Sequence, residues 1–323
     1  MLLPEDISKE ISELYHEIKN DKIKDIQQGL TDKYKNKTGT SKNLIESKNE
    51  SILYAISRMP ATFSVLYTLL KELTLQGKIL NVNSIFDFGS GTGSAYFACK
   101  EIFECKKIEL FERDENMIET FSKLTKNEVK VNKVDLISSK INENFEPADL
   151  CLSSYVLSEM NEFDRERVFE KMLALSKKYV LVVDTGTPKT YENMMKLKTV
   201  AKKFGFFITA PCKCEVCSLQ NDYCQFYARV ERSSLLRQAK NATLSYEDEK
   251  YFYLLFQKKD GLLDNNENFY TNEFCRVIRR PKIKTNEIEL VLCSKDGVTT
   301  KIFTKKDKDK FKKAKKIKIN QEI

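Results

Sequence analysis

The stretch of sequence that decides the fold reads Ser84-Ile-Phe-Asp-Phe-Gly-Ser-Gly-Thr-Gly-Ser94. It begins as a short apolar strand, passes through three glycines spaced two residues apart, and runs into a helical pattern from Ser94 to Glu104. Glycines let the backbone turn sharply and approach a ligand closely. The N-terminus of the following helix adds unpaired N–H groups and a partial positive charge. In this strand–loop–helix context, the glycines predict a ligand-binding loop.

Short apolar strands alternate with helical segments beyond this loop as far as Phe204. Further strands are predicted at Lys107–Phe111, Val129–Val134, Ala148–Ser153 and Tyr179–Val183. Such alternation is typical of a parallel, doubly wound sheet with helices on its faces. The predicted fold class is therefore α/β, with a Rossmann-like central domain.

The pattern before and after this domain differs from it, and we divide the chain accordingly. Ile7, Ile11, Leu14 and Ile18 recur at helical spacing near the N-terminus, whereas strands and loops dominate after the Rossmann-like part. The predicted regions are a helical N-terminal region (1–80), a Rossmann-like domain (81–208), a cysteine-bearing strand-rich region (209–303) and a Lys-rich tail (304–323).

Acidic side chains stand at the ends of three consecutive predicted strands. Asp87 lies at the tip of the first strand, Glu112 follows the second and Asp135 follows the third. Carboxylates in these places can accept hydrogen bonds from a bound ligand: Glu112 from two ribose hydroxyls and Asp135 from an adenine amine. The alternative interpretation is that these acids cap the helices that follow. Asp114 is the alternative to Glu112 for the ribose.

The carboxylates and the loop glycines Gly89, Gly91 and Gly93 together favour S-adenosylmethionine as the ligand. In nicotinamide enzymes the donors of such a loop face a pyrophosphate. S-adenosylmethionine has no phosphate, but its carboxylate can accept hydrogen bonds from the same donors. Three carboxylates at successive strand ends are a more specific signal than the glycine loop alone.

The fourth predicted strand ends where methyl acceptors approach in methyltransferases. Ser153, Ser154 and Tyr155 can shape a pocket there, but the Asn/Asp-Pro-Pro-Tyr run of many amino-group methyltransferases is absent. His16 is the one histidine of the chain, which excludes a His-based triad and a multi-His metal site. The sequence therefore supports cofactor binding more strongly than it supports catalysis.

The cysteines predict a second site. Four of the nine, Cys212, Cys214, Cys217 and Cys224, fall within thirteen residues. Disulfides are not expected in an intracellular chain of this size. A set of thiolates suits either zinc or an iron–sulfur cluster, and the spacing does not decide between them. The alternative is that these are reduced cysteines in the packing of the protein.

Positive charge is concentrated at the C-terminus. The net charge is +8, and residues 301–323 carry ten Lys against three acids, or +7 of that total. Such a segment favours a polyanion partner, with RNA the first candidate. The alternatives are a solvated tail that aids solubility and a short helix around Phe311 that docks on protein.

No apolar run is long enough for a membrane span, and the acidic N-terminus is unlike a signal or transit peptide, so a cytoplasmic protein is expected.

A series of motifs gives this chain a specific resemblance. The matching segments lie between Tyr54 and Phe303. In chain order they are Arg58-Met-Pro-Ala-Thr-Phe63, the glycine loop, Leu110-Phe-Glu-Arg-Asp114, Ser154-Tyr-Val-Leu-Ser-Glu159, Asp184-Thr-Gly-Thr-Pro188, Ala210-Pro-Cys212, Cys224-Gln-Phe226, Val230-Glu-Arg232, Tyr246-Glu-Asp-Glu-Lys250 and Leu292-Cys-Ser-Lys-Asp-Gly297. The chain resembles the methyltransferase-like assembly factors of the small ribosomal subunit, which bacteria and mitochondria share.

The resemblance implies a set of functional properties. It implies S-adenosylmethionine binding and a 4Fe–4S cluster on Cys212, Cys217, Cys224 and Cys293, with Cys214 as an extra thiol. It also implies binding to small-subunit rRNA, in assembly of the subunit or its preparation for initiation, by a protein that is monomeric when free. The compartment would be the bacterial cytoplasm, or the mitochondrial matrix in a eukaryote. The alternative function is that of an active rRNA methyltransferase.

Overall fold

A computed structural model describes most of the chain, namely residues 3–18, 23–36, 39–212, 217, 219, 222–239, 243–259, 275–294 and 296–321. Its α-helices are α1 (Glu5–His16), α2 (Ile23–Asn36), α3 (Lys48–Ser57), α4 (Met59–Leu75), α5 (Ser94–Ile102), α6 (Glu115–Leu124), α7 (Glu162–Ala174), α8 (Pro188–Lys203), α9 (Ser234–Ala239) and α10 (Lys308–Ala314). Its strands are β1 (Ser84–Phe88), β2 (Lys107–Glu112), β3 (Asn132–Lys133), β4 (Ala148–Ser154), β5 (Ser176–Thr185), β6 (Phe206–Ala210), β7 (Phe226–Glu231), β8 (Tyr246–Lys258), β9 (Cys275–Val277), β10 (Lys282–Ile283), β11 (Glu287–Ser294) and β12 (Gly297–Thr304).

A large mixed sheet forms the centre of the molecule. Its strand order is β3-β2-β1-β4-β5-β8-β6, with β7 also paired to β8. Strands β1 to β5 are parallel, whereas β8 runs antiparallel to β5, β6 and β7. β4 and β5 are almost continuously buried, as expected for strands with helices on both faces. The predicted Rossmann-like α/β fold is therefore confirmed.

Capping residues explain where two helices differ from their predicted bounds. The structure begins α7 at Glu162 because Asn161 accepts a hydrogen bond from the Asp164 N–H. It begins α8 at Pro188 because Thr187 accepts one from the Thr190 N–H. Apolar periodicity starts later than the cap in both cases, so the pattern alone places the helix start two or three residues too late.

The N-terminal helices pack on the large sheet's helical layer and do not form a separate unit. α4 lies along α5, and α3 contacts α1, α2, α4 and α6. Pro60 occupies the first turn of α4, as the sequence predicts, and Ser47 caps α3. Their buried side chains belong to the same hydrophobic core as the sheet.

β8 connects the Rossmann-like domain to the region that follows it. Its buried run Tyr251–Phe256 pairs with β5 on one side and with β6 and β7 on the other. Strands β7 and β8, which lie in the predicted cysteine-bearing region, thus extend the large sheet. The second sheet is smaller, with order β10-β11-β12 and β9 paired to β11.

The Lys-rich segment folds in part onto this small sheet. α10 places Ala314 and Phe311 against a cluster that includes Ile288 and Leu290. Its lysines are exposed. Of the interpretations open for this segment, the docked short helix describes residues 308–314, while the lysines remain available to a partner. No helix among the described residues is long and apolar enough to cross a lipid bilayer.

Candidate functional site

The glycine loop is fastened to the neighbouring strand by its own backbone. The N–H groups of Gly89 and Ser90 both donate to the Phe111 carbonyl, at 2.9 and 3.0 Å. Gly93 then donates to the Ser90 carbonyl at 2.8 Å and precedes the first turn of α5. The loop thus holds a fixed turn at the carboxyl edge of the sheet, where ligands bind in doubly wound folds.

The three loop positions require glycine for different structural reasons. All three have positive φ angles, of 79°, 53° and 88° for Gly89, Gly91 and Gly93. A Cβ on Gly89 would collide with Val156, and one on Gly93 with Phe121. A Cβ on Gly91 would meet no protein atom within 4 Å. Gly91 therefore borders open space, which a ligand can use, while the other two glycines are also required by packing.

Glu112 and the alternative Asp114 have separate roles. The Glu112 carboxylate accepts hydrogen bonds from the N–H groups of Gly91, Arg113 and Asp114, at 2.8, 2.8 and 2.9 Å. Burial raises the pKa of Glu112, and these three donors act against that rise. Asp114 caps α6 through the Met117 N–H at 3.0 Å and accepts from the Asn43 amide. The capping interpretation therefore describes Asp114, while Glu112 faces the loop.

The cleft next to this loop brings together four of the seven predicted cofactor residues. Gly89, Gly91, Glu112 and Asp135 line it. Asp135 lies exposed at the rim, where its side chain accepts a hydrogen bond from the Ile137 N–H at 2.9 Å. The other three, Asp87, Gly93 and Ser153, are not among the lining residues.

Asp87 lies buried in β1, just before the glycine loop. It is 1% exposed, and neither carboxylate oxygen has a partner among the described residues. Burial raises its pKa to about 8, and the nearby charge of Glu112 acts in the same direction. Ser153 is equally buried, and its hydroxyl also lacks a partner in the described part of the chain.

Further unpaired polar atoms border the cleft itself. The hydroxyls of Thr62, Ser90, Thr92 and Tyr155 are buried there without a hydrogen-bond partner among the described residues. Buried polar groups are nearly always hydrogen-bonded, so such a group of unpaired atoms fits a site completed by a polar ligand or ordered water. Tyr155 also has a φ of 59°, which is rare for a bulky residue and is found at ligand sites.

A segment that the sequence did not single out covers this cleft. Residues 39–45, here called the covering segment, connect α2 to α3, and several of them line the cleft. The N–H groups of Gly39 and Ser41 donate to the Glu159 carbonyl, both at 3.0 Å. Arg113 donates twice to the Ser41 carbonyl, both at 3.3 Å. The segment is polar up to Asn43, ends in the buried residues Leu44 and Ile45, and has no apolar period, so no sequence signal identifies it.

Titratable groups gather at the end of the cleft next to β4. Burial raises the pKa of Glu159 to about 8, with the charges of Asp184 and Glu112 adding to the rise. Burial likewise raises the pKa of Tyr54 to about 12. Glu159 and Tyr54 both line the cleft. A carboxyl group that titrates near neutral pH can exchange a proton with a bound molecule.

The predicted metal-ligating cysteines lie around a second cavity. Cys212, Cys217, Cys224 and Cys293, here called the cysteine centre, all line it. Burial raises the pKa of Cys224 to about 12, Arg276 acts against the rise, and the other three thiols add to it. Cys217 accepts a hydrogen bond from the Tyr191 hydroxyl at 3.0 Å. Cys214 lies outside the described residues.

The topology explains why thiols distant in sequence meet. The pairing of β6 with β8 ends at Ala210, opposite Leu255. The pairing of β7 with β8 begins at Phe226, opposite Tyr251. Cys212 and Cys224 therefore stand at the two ends of one excursion from the sheet. β11 of the small sheet supplies Cys293. Within the described ranges no group of three or more His, Cys, Asp or Glu has metal-binding geometry.

The fold and the cleft define the class of this protein as a methyltransferase-fold protein. The profile of one family, described as mitochondrial small ribosomal subunit Rsm22, matches residues 48–320. The chain belongs to the Rsm22 family, so its function is related to the small ribosomal subunit. The match includes the glycine loop and the cysteine centre, whereas the covering segment lies outside it.

Other comparisons found similar structures at low sequence identity. One is a proposed RNA methyltransferase from Pyrococcus horikoshii, with a TM-score of 0.43, 14% identity, and coverage of 73% of this chain and 99% of that chain. Another is magnesium protoporphyrin IX methyltransferase from Synechocystis with bound S-adenosylmethionine, with a TM-score of 0.40, 10% identity, and coverage of 71% of this chain and 91% of that chain. A third is the N-methyltransferase NodS from Bradyrhizobium japonicum, with a TM-score of 0.40, 13% identity, and coverage of 60% of this chain and 86% of that chain. No curated protein matches the sequence.

Proposed function

We propose that this protein binds small-subunit rRNA and assists assembly of the small ribosomal subunit or its preparation for initiation. In this proposal S-adenosylmethionine and a 4Fe–4S cluster are bound cofactors, and the free protein is a monomer. The observation that carries it is the family match over residues 48–320, which spans both the cleft and the cysteine centre. The proposed compartment is that of the subunit: bacterial cytoplasm, or the mitochondrial matrix in a eukaryote.

The cleft fits S-adenosylmethionine by its chemistry. Gly91 leaves room for close approach, and Glu112 is held where it can accept from ribose hydroxyls. Asp135 stands at the rim for the adenine amine, and Asp87 offers two unpaired oxygens beneath the loop. When bound, the cofactor supplies an electrophilic methyl group.

The cysteine centre fits a cluster by its donor set. Four thiols line one cavity, and thiolate-only sets hold iron–sulfur clusters or zinc. Thiols with raised pKa values lose their protons when a metal binds, so the high pKa of Cys224 does not exclude a ligand role. A bound cluster would supply covalent links between the loop after β6 and strand β11.

Exposed lysines support the RNA-binding part of the proposal. Ten of the last 23 residues are Lys, and α10 keeps its lysines in solvent while its apolar side packs on the small sheet. A folded display of positive charge suits contacts to phosphates, which position a protein on RNA. The fold thus offers a basic surface that does not depend on a disordered tail.

Ultraviolet crosslinking of the full chain to small-subunit precursors tests the proposal. We expect crosslinks to small-subunit rRNA, with peptides from the region of α10 among those attached to RNA. Crosslinking to large-subunit rRNA at the same efficiency would contradict specific small-subunit binding. Absence of any RNA crosslink would remove RNA as the direct partner.

A second candidate function is methylation of an rRNA nucleotide. It is favoured by Glu159, which lines the cleft with a pKa of about 8, and by the unpaired hydroxyls of Thr62 and Tyr155 nearby. Glu159 could accept a proton from the acceptor while the cleft aligns the acceptor with the methyl group. Transfer of labelled methyl groups to small-subunit rRNA that is lost in Glu159→Gln would support this function. Transfer that persists in that variant would exclude Glu159 as the base.

A further inference from the structure

Arg276 is a buried cation at the edge of the cysteine centre. It is 5% exposed, lies on β9 and lines the same cavity as the four cysteines. Burying a guanidinium is costly unless negative charge or hydrogen bonds compensate for lost water. Its position therefore calls for a physical reason.

The hydrogen bonds of Arg276 connect separate parts of the chain. One terminal nitrogen donates to the Pro211 carbonyl, directly before Cys212. The other donates to the Asn320 carbonyl at 3.3 Å, near the end of the described chain. Both acceptors are carbonyls, so these two bonds orient the guanidinium. Its charge also acts on the carboxyl of Glu72, where it opposes the rise that burial gives to the pKa.

Arg276 also contacts the segments that bear two other thiols. Its guanidinium carbon lies 5.4 Å from the centre of the Phe226 ring, two residues after Cys224. In the small sheet it is the register partner of Cys293. One side chain thus joins the segments that carry Cys212, Cys224 and Cys293.

We infer that Arg276 is the positioning residue of the cysteine centre and sets the reduction potential of the cluster held there. This inference rests on the proposed 4Fe–4S cofactor. Four thiolates carry more negative charge than the iron–sulfide core neutralises, and the added electron of reduction increases that charge. A buried cation beside the cavity stabilises the reduced state more than the oxidised state, because interactions between charges are strong where water is excluded. Net charge and nearby donors are known controls of cluster potentials.

The test compares three variants of the full chain, purified and reconstituted anaerobically. Arg276→Met removes the charge, and Arg276→Lys keeps it with fewer hydrogen bonds. Arg280→Met is the matched control: it removes the same charge from an exposed arginine on the same segment, which pairs with Asp248. The measurements are iron and sulfide content, circular dichroism, and the midpoint potential from a redox titration followed by electron paramagnetic resonance.

We expect the reduction equilibrium of Arg276→Met to fall by about tenfold, which is about 59 mV to lower potential for one electron. Arg276→Lys should lie within about threefold of the wild type, and Arg280→Met should match it. A wild-type potential in folded, loaded Arg276→Met would overturn the inference. So would an equal fall in Arg276→Lys, because charge would then not be the cause.

The outcome for the wild type separates this inference from the proposed function. Wild-type protein without iron and sulfide would refute the proposed cluster and, with it, the role of Arg276. A loaded wild type whose midpoint potential is unchanged by Arg276→Met would refute the role of Arg276 alone. If Arg276→Met does not fold, Arg276→Lys and Arg276→Gln decide between charge and hydrogen bonding by the same titration.

Discussion

The glycine-loop cleft and the cysteine centre are built in opposite ways. The glycine-loop side of the cleft is held by backbone hydrogen bonds between strands that are neighbours in one sheet, such as those from Gly89 and Ser90 to Phe111. The cysteine centre assembles from a loop after β6 and a strand of another sheet, with Cys293 about 70 residues beyond Cys224. A site of the first kind can form before its ligand arrives. A site of the second kind gains from a crosslink, because closing a long loop costs entropy.

The largest expected effect comes from a substitution that disrupts the cysteine centre and leaves the cleft intact. Cys293→Ser should reduce bound iron to near zero, because one of four thiolates is lost. Hydrogen exchange should accelerate in residues 205–230 and 275–304, while affinity for S-adenosylmethionine stays within about twofold. Elemental analysis, exchange mass spectrometry and calorimetry measure these three quantities.

Cys275→Ser is the matched control for this change. Cys275 lies on β9 and pairs with Ser294, but it does not line the cavity of the cysteine centre. The Cys275→Ser variant should keep the iron content and the hydrogen-exchange rates of the wild type. Equal iron loss in both variants would show that the small sheet, and not the thiolate of Cys293, holds the metal.

The next effect breaks the cleft and leaves the cysteine centre intact. Gly91→Val places a branched side chain in the open space that the ligand is proposed to use, so calorimetry should show at least about 100-fold weaker S-adenosylmethionine binding, or about 2.7 kcal/mol. Iron content should not change. The fold should persist at a cost of about 1–2 kcal/mol for the left-handed backbone.

Gly205→Val separates strain from ligand contact. Gly205 has a φ of 74° and, like Gly91, has no atom within 4 Å of a Cβ, but it lies outside the cleft. It should lose similar stability and keep ligand affinity. Unchanged affinity in Gly91→Val would place the ligand elsewhere.

A smaller effect concerns the buried carboxyl of Asp87. Its pKa is about 8 in the folded protein against 3.8 for an ordinary Asp, so the unfolded chain releases this proton first as pH rises. Without ligand, this group therefore lowers the free energy of unfolding by up to about 1.4 kcal/mol per pH unit between about pH 5 and 8. Asp87→Asn should remove that slope.

Thermal or urea unfolding at pH values from 5 to 8 measures this pH dependence of the free energy of unfolding. The stability of Asp87→Asn relative to the wild type should increase across this range. Parallel curves for the two proteins would contradict the raised pKa, because they would show that the pKa of Asp87 is the same in the folded and unfolded states.

The smallest effect concerns the basic surface, which lies on the small sheet beside the cysteine centre. Lys312, Lys313 and Lys316 are exposed, and replacing all three with Gln should lower the slope of log affinity for rRNA against log salt by about 2. Filter binding at several salt concentrations measures the slope. The packing of Phe311 and Ala314 is untouched, so stability should not change.

A second triple variant controls for net charge alone. Lys130, Lys177 and Lys203 are also exposed but lie outside the Lys-rich segment 304–323. Replacing them with Gln should leave the slope near that of the wild type. Equal reductions in both triple variants would show that RNA responds to overall charge and not to this surface.

Local chemistry made much of the cleft predictable. The glycine loop and Glu112 each follow a strand with apolar residues. Asp135 follows the alternating stretch Val129–Val134, of which the structure makes only Asn132–Lys133 a strand. Parallel strands bring their carboxyl ends to one edge. The covering segment was not predictable, because its contacts to Arg113 and Glu159 span more than 70 residues and use backbone carbonyls. A carbonyl acceptor leaves no mark on the sequence.

The sequence by itself determined the α/β class, the glycine loop, the acids at the strand ends and the grouping of the cysteines, because each depends on residues close together in the chain. Only the tertiary structure decided that β7 and β8 extend the large sheet, that Asp114 caps a helix while Glu112 faces the loop, and that α10 docks on the small sheet. It alone placed Arg276 beside Cys293. These features depend on pairing between distant segments, where many partners satisfy the same local pattern and the packing of the whole chain selects one.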